Sequence, residues 1–218
     1  MKAYCKRRLL AVRFDVIPRA NGQMTLDLLP EEIRNAYEVH EWKHACAVLQ
    51  GDFPRQWQDI LEVLSSFRLK RSDILARGGG KSAISTWFDA AFGERGWREK
   101  GFDTKIVVDT AELVTPTHKV DCVKGSVALE IEWSNKDPFF DRDLNNFRLL
   151  FDLRAISVGL IVTKSGELRQ LFEELNVWGK YGTSTTWMNK LLPRINGGGG
   201  GGCPILVFGI GRQLYIEE

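Results

Sequence analysis

An α/β protein with a mixed β-sheet flanked by helices is the fold class this chain predicts, and three observations carry that expectation. Helical spacing of apolar residues dominates the stretch from Pro30 to Lys100. Val158 to Thr163 is a near-continuous apolar run, the composition of a strand buried on both faces. Between these lies Val120 to Trp133, where apolar and β-branched residues surround a Lys124-Gly125 turn, a β-hairpin signal. Helices first, then strands with interleaved helices, give a layered domain around a sheet.

Along the chain, Ala11 to Ile17 and Met24 to Leu29 predict short strands about the turn Arg19-Ala20-Asn21-Gly22. Pro30-Glu31-Glu32 opens a helix, with proline early and acids in the first turn, running to about Gln50 before Gly51. Trp57, Ile60, Leu61 and Leu64 place a second helix over Pro54 to Phe67. The glycine-rich stretch Arg77 to Ser82 is a loop, and a third helix is expected from Ala83 to Lys100. Strands follow at Lys105 to Asp109, in the hairpin, at Val158 to Thr163 and at Pro204 to Ile210. Helices are expected at Asp141 to Leu153 and Glu167 to Leu175, and the six glycines Gly197 to Gly202 form a loop with little conformational preference.

The length of 218 residues suits one domain, and 44% hydrophobic with 27% charged residues is ordinary for a soluble globular chain. No apolar run approaches the ~18–20 residues of a membrane span. Leu9-Leu10-Ala11-Val12 is broken by Arg13, too short for the apolar region of a signal peptide. Cys5, Cys46, Cys122 and Cys203 are scattered without a CxxC pair, which fits a reduced cytoplasm. The net charge of +2 decides nothing about partners, yet Lys2, Lys6, Arg7, Arg8 and then Arg68, Lys70, Arg71, Arg77 and Lys81 cluster locally. Such patches fit phosphate contact on one face and equally fit solvated surface.

Chemistry is concentrated in the hairpin. Strand alternation points Glu130 and Glu132 to one face together with Ala128, and Asp121 on the partner strand converges on the same spot. Acids between apolar neighbours are costly unless a cation neutralises them, and hard oxygen ligands suit Mg²⁺ better than zinc. The bland alternative is a solvated hairpin face.

Two other motifs are weaker. His40-Glu41-Trp42-Lys43-His44 spells the zinc-protease signature on the expected first helix, but a lysine adjoins the second His and no third ligand is evident. Gly78-Gly79-Gly80-Lys81-Ser82 resembles the end of a phosphate-binding loop, but Leu75 occupies the position of its first glycine. Lys81 and Ser82 remain candidates for touching a DNA phosphate, with a plain connector as the alternative. The seven tryptophans are most simply core or dimer-interface residues.

The stretch Leu129-Glu130-Ile131-Glu132-Trp133-Ser134-Asn135 resembles the catalytic strand of the BglII/BstYI-like type II restriction endonucleases, in the PD-(D/E)XK superfamily. Trp57 to Ile60, the Lys81 loop and Ala91 to Lys100 resemble that family's helices in order. Gly159 to Lys164 resembles its central strand, Tyr181 to Trp187 its second recognition loop, and Pro204 to Ile210 its terminal strand. The resemblance divides the chain into an N-terminal extension, residues 1–37, and a nuclease domain, residues 38–218, with a restriction-endonuclease-like core.

That resemblance implies Asp121 and Glu130 as ligands of a catalytic Mg²⁺, helped by the main-chain carbonyl of Ile131. Glu132 takes the position where many superfamily members carry lysine, which leaves open whether it is a general base or a further ligand. Glu99 or Lys100 would edge the site. Ser134 and Asn135 would enter the major groove, with Asn135 matched to adenine, and Lys136 placed for phosphate or guanine. Thr183, Ser184 and Thr185 would read further base edges. The implied activity is Mg²⁺-dependent cleavage of double-stranded DNA at a short palindrome centred on GATC, by a cytoplasmic homodimer paired genetically with a cognate DNA methyltransferase. Its rivals are a repair or methylation-dependent nuclease, and a DNA-binding protein with a dead site.

Overall fold

The computed structural model describes residues 25–77 and 79–218. The expected strand Ala11 to Ile17, the turn after it and the basic cluster Lys2 to Arg8 lie outside the described residues. A 3-10 turn at Leu26–Leu28 leads into helix α1 (Glu31–Ala36), strand β1 (Tyr37–Trp42), and helices α2 (Ala45–Asp52) and α3 (Pro54–Ser66). Strand β2 (Leu69–Lys70), helices α4 (Arg71–Leu75) and α5 (Ala83–Glu94), and strand β3 (Arg98–Lys100) follow. Two hairpins come next, β4 (Asp103–Val108) with β5 (Ala111–Pro116), and β6 (Val120–Lys124) with β7 (Val127–Ile131). The chain continues through α6 (Phe139–Asp152), β8 (Val158–Lys164), α7 (Leu168–Glu174), α8 (Trp178–Tyr181), α9 (Met188–Asn196), β9 (Ile205–Ile210) and β10 (Tyr215–Ile216).

Six strands form one mixed sheet in the order β1-β9-β8-β7-β6-β3. The central strands β7, β8 and β9 run parallel, and antiparallel β1 and β6-β3 flank them. Every residue of β7, β8 and β9 is buried, as continuous apolar runs demand of strands covered on both faces. Side-chain alternation splits the core in two. Val127, Leu129, Ile131 and Trp133 face the cluster built with Trp57, Ile60, Phe88 and Phe92 of α3 and α5. Ala128 and Ile161 face Phe140, Leu144 and Phe147 of α6 and Met188 and Leu191 of α9.

Close approach of α6 to the sheet depends on Gly159. A Cβ there would collide with the Phe147 ring, so only glycine lets the helix settle against β8. The six-glycine loop is exposed at Gly197 to Gly199 and packed in its second half: Gly200 is buried, and a Cβ on Gly201 (φ +57) would meet the Arg148 side chain.

Three expectations need correction. The expected helix over Pro30 to Gln50 is two helices separated by a strand. Tyr37 to Trp42 pair with Ile210 to Ile205 as the sheet's edge, and Lys43 and His44, at φ 56 and 57, make the turn into α2. Long-range pairing there outweighs local helical preference. The third helix stops at Glu94, turned by Gly96 (φ +84), because Arg98 to Lys100 pair with β6. The expected strand Met24 to Leu29 is, in its described part, the 3-10 turn.

Candidate active site

The β6-β7 hairpin turns on Gly125 (φ +62) and pairs Cys122 with Leu129, so Asp121 and Glu130 stand side by side at its open end. They are tied through backbone. The Asp121 N–H donates to Glu130 Oε2 at 3.1 Å, and the Ile131 N–H donates to Asp121 Oδ2 at 3.0 Å. Glu132 continues the alternation one step further, held by its N–H donating to the Val162 carbonyl at 2.8 Å. Glu130 and Glu132 are each only 1% exposed, whereas Asp121 is half-buried.

A cleft of ≈ 250 Å³ opens onto this end of the sheet. Of the residues singled out in the sequence, Asp121, Ile131, Glu132, Ser134 and Asn135 line it, and Lys81 and Ser82 form part of its wall. Glu130 lies behind Asp121, its Oε1 buried and without a hydrogen-bond partner. Lys136, Thr183, Ser184 and Thr185 lie outside the cleft lining, on the segments that continue from it. A larger cavity of ≈ 390 Å³ lies between α1, α3 and the C-terminal turn. Its lining of Ile33, Tyr37, Leu64 and Arg68 with their neighbours contains no paired acids, so its size carries no chemistry.

Four further cleft residues escaped the sequence reading: Ser85, His118, Phe139 and Arg142. With them comes Asp143, fully buried in the first turns of α6. Arg142 donates from Nε and Nη2 to Asp143 Oδ1 at 3.0 and 2.8 Å, lies 3.5 Å from Glu132 Oε1, and stacks on the Phe139 ring. Nothing in the hairpin pattern marks these α6 residues. Only the run Asp141-Arg142-Asp143 at a helix start, shortly beyond the acids, hints at them.

Three acids in so dry a place do not ionise easily. Burial, then the Asp143 charge, raises Glu130 well above the ordinary carboxylate range. The same two causes push Glu132 up to about 9. Burial also raises Asp143, to about 6, against the opposing pull of Arg142. Glu132 and Asp143 share a side-chain hydrogen bond, whereas Glu130 Oε1 is buried without a hydrogen-bond partner. An unsatisfied carboxylate oxygen of this kind costs stability, and a hard cation would satisfy it. Among the described residues, no three His, Cys, Asp or Glu side chains close around a common ion position. A cation held by Asp121 and Glu130 would therefore draw its other ligands from a carbonyl, water or phosphate oxygen.

Several predicted residues have partners inside the protein. Asn135 donates from Nδ2 to Glu132 Oε1 at 3.1 Å. Lys81 is paired with Asp89 at the cleft wall, near enough to Asp121 for their charges to interact. Ser82 caps α5, its Oγ accepting from the Ser85 N–H at 3.0 Å. Thr185 is buried and donates its hydroxyl to the Tyr181 carbonyl at 2.9 Å, whereas Thr183 and Ser184 are exposed. Lys136 is exposed, with its Nζ 3.4 Å from Ser184 Oγ. Glu99 and Lys100 sit on the exposed edge strand β3 rather than at a helix end, and Glu99 pairs with Lys119 at 3.1 Å. His40 lies on β1 beside Glu38, and His44 lies in the turn that follows the strand. Two imidazoles four residues apart share a metal-binding face on a helix, so the zinc-like motif has no geometry behind it here.

A mixed sheet flanked by helices, with Asp121 of β6 and Glu130 of β7 paired at one open end beside a cleft walled by Lys81 and Arg142, is consistent with the restriction-endonuclease-like fold. A family model described as restriction endonuclease BglII/BglIII matches residues 37–210. The chain belongs to that family of type II restriction endonucleases, and with it to the nucleases that act on double-stranded DNA. No curated protein matches it. Among the described residues, no helix is long and apolar enough to cross a membrane.

Proposed function

We propose that this chain is a Mg²⁺-dependent, homodimeric type II restriction endonuclease that cuts double-stranded DNA at a short palindrome with a GATC centre. The observation that carries the reading is the backbone-linked pair Asp121 and Glu130, with Glu132 one step along the strand, at the mouth of a cleft walled by Lys81 and Arg142. Asp121, Glu130 and the Ile131 carbonyl would hold the metal. A bound Mg²⁺ would supply the polarisation of a water molecule and of the scissile phosphate. Once ionised, Glu132 accepts the proton of the attacking water, and Arg142, 3.5 Å from its Oε1, favours that ionised form. Lys81 faces the charge that gathers on the phosphate.

Ser134, Asn135 and Lys136 leave the catalytic strand towards the groove, and Thr183 and Ser184 approach from the other segment. Thr185 contributes through its backbone, which bridges Lys136. A palindrome asks for two-fold symmetry, hence one active site per strand in a dimer. The nuclease domain begins near residue 38. Leu29 and Ile33 ahead of it pack into the same core. The enzyme works in the cytoplasm beside a cognate DNA methyltransferase.

The test is digestion of a sequenced plasmid with Mg²⁺ and with EDTA, on methylated and unmethylated copies, with break ends mapped. Discrete fragments ending at one repeated GATC-containing palindrome, only with metal, are expected. Random nicking, or no cutting of either copy, ends the proposal. Sedimentation of the free protein reports the dimer.

A further inference from the structure

Lys164 ends the central strand β8 and is 0% exposed. Its Nζ donates to the main-chain carbonyl of Trp133. Three rings surround it, with centroids 5.3 Å (Trp133), 5.9 Å (Tyr181) and 5.1 Å (Trp187) from Nζ. Among the described residues, no carboxylate lies within ion-pair distance of this amine, and burial pushes its pKa well below that of an ordinary lysine. An apolar side chain of the same length would fill the cage without that desolvation cost. What an apolar side chain could not do is bind the Trp133 carbonyl.

The cage residues are the roots of two segments. Trp133 directly precedes Ser134, Asn135 and Lys136. Tyr181 and Trp187 bracket Gly182 to Thr186, and the neck of that loop is closed by Trp187 Nε1 donating to the Tyr181 carbonyl at 2.8 Å. Beyond the roots the segments are stitched together. The Thr186 N–H donates to Asn135 O at 2.9 Å, the Asp137 N–H donates to Ser184 O at 3.2 Å, and Lys136 bridges Thr185. Lys190 binds the carbonyls of Thr183 and Thr185 and lies 3.3 Å from Asp137. Asn135 in turn holds Glu132.

We infer that Lys164 is a specificity-determining positioning residue: its amine locks the roots of both DNA-facing segments into one rigid reader joined to Glu132. The inference rests on the nuclease reading above. A base pair that displaces either segment would, through this unit, displace Asn135 and the acid it holds. Selectivity of cleavage then exceeds what either segment could provide alone, because each separately could yield to a wrong base pair.

The experiment compares wild type with Lys164→Met on a library of short duplexes with a randomised centre, with Mg²⁺, sequencing the cleaved ends and recording thermal unfolding. Methionine keeps length and apolar contact but donates nothing to Trp133. The rate at the preferred site divided by the rate at sites with one changed base pair is expected to fall at least about tenfold, the scale of one lost base contact. The melting temperature is expected to hold or rise. A merely structural lysine would instead lower melting temperature and slow all sites together, leaving the ratio within about twofold, and that result overturns the inference. Should Lys164→Met fail to fold, Trp187→Phe keeps a ring in the cage, loses the Nε1 hydrogen bond at the loop neck, and carries the same expected and overturning ratios. A wild type that cuts no duplex sinks the nuclease reading and this inference with it. A cutting wild type with an unchanged variant ratio sinks the inference alone.

Discussion

The two hairpins β4-β5 and β6-β7 share a β-branched composition and carry acids, yet they differ in almost everything that matters chemically. Among the described residues, β4 and β5 pair only with each other, and Val107, Val108 and Val114 are 58%, 56% and 70% exposed. Glu112 there meets Lys105 at 2.6 Å with both side chains more than half exposed, an ion pair that water screens. The second hairpin is inserted between β3 and β8, and its Glu130 is 1% exposed, with no basic partner among the described residues. The same carboxyl group therefore faces water and a lysine in one hairpin and is a desolvated, proton-retaining acid in the other. Desolvation, supplied by the sheet and α6, makes the difference.

The largest expected effect comes from neutralising one acid in each hairpin. Asp121→Asn or Glu130→Gln is expected to lower single-turnover cleavage by about a thousandfold or more, the scale of a lost metal ligand or oxyanion partner. Glu112→Gln is expected to leave the rate within about twofold. Equal effects of Glu130→Gln and Glu112→Gln would erase the distinction.

A smaller effect concerns the helix that dries the inner hairpin. Gly159→Ala forces a methyl into the Phe147 ring, and chemical denaturation should report a loss of about 1–3 kcal/mol. No loss would mean that α6 can lift from the sheet freely. Chain flexibility at that position, rather than close packing, would then explain the glycine.

A third prediction uses proton linkage. Glu132 ionises near 4.5 when unfolded and near 9 when folded without metal, so the native state binds the extra proton between those values. Stability from this group is complete below pH about 4.5 and declines as pH rises through about 9. Thermal unfolding of the metal-free protein should therefore lose at least about 1 kcal/mol over that window, since even a tenfold difference in proton affinity between the two states is worth that much. Glu132→Gln should flatten the slope. Mg²⁺ takes the ionised acids, so its affinity should rise with pH and its binding should release protons, measurable by titration calorimetry in buffers of different ionisation enthalpy. Metal affinity independent of pH would contradict the burial argument. The smallest effect belongs to the outer hairpin: Lys105→Met should cost less than about 1 kcal/mol, and less still at high salt.

How much of this was legible in the chain varies by element. The Lys124-Gly125 turn and the alternation around it located β6 and β7, because a hairpin's register is a local property. The continuous run at Val158 marked the central strand for the same reason. The helix over His40 and His44 failed because β1 exists through pairing with β9 at the far end of the chain, and nothing local announces such a partner. The far end of the third helix failed likewise: the stretch ending in Glu99 and Lys100 has helical composition but is claimed by β6. Arg142, Asp143 and Lys164 were invisible as site residues, since helix and strand patterns alone do not show which of them face Glu132 or the root of Ser134.

By itself the sequence determined the inner hairpin, its three acids and the buried strand beside them, because turn chemistry and side-chain alternation act over a few neighbouring residues. Only tertiary structure decided which acids lose water, which cations face them, and that two distant segments share one buried amine. Desolvation and long-range contact depend on what the rest of the chain brings to a point in space, and no local pattern encodes that.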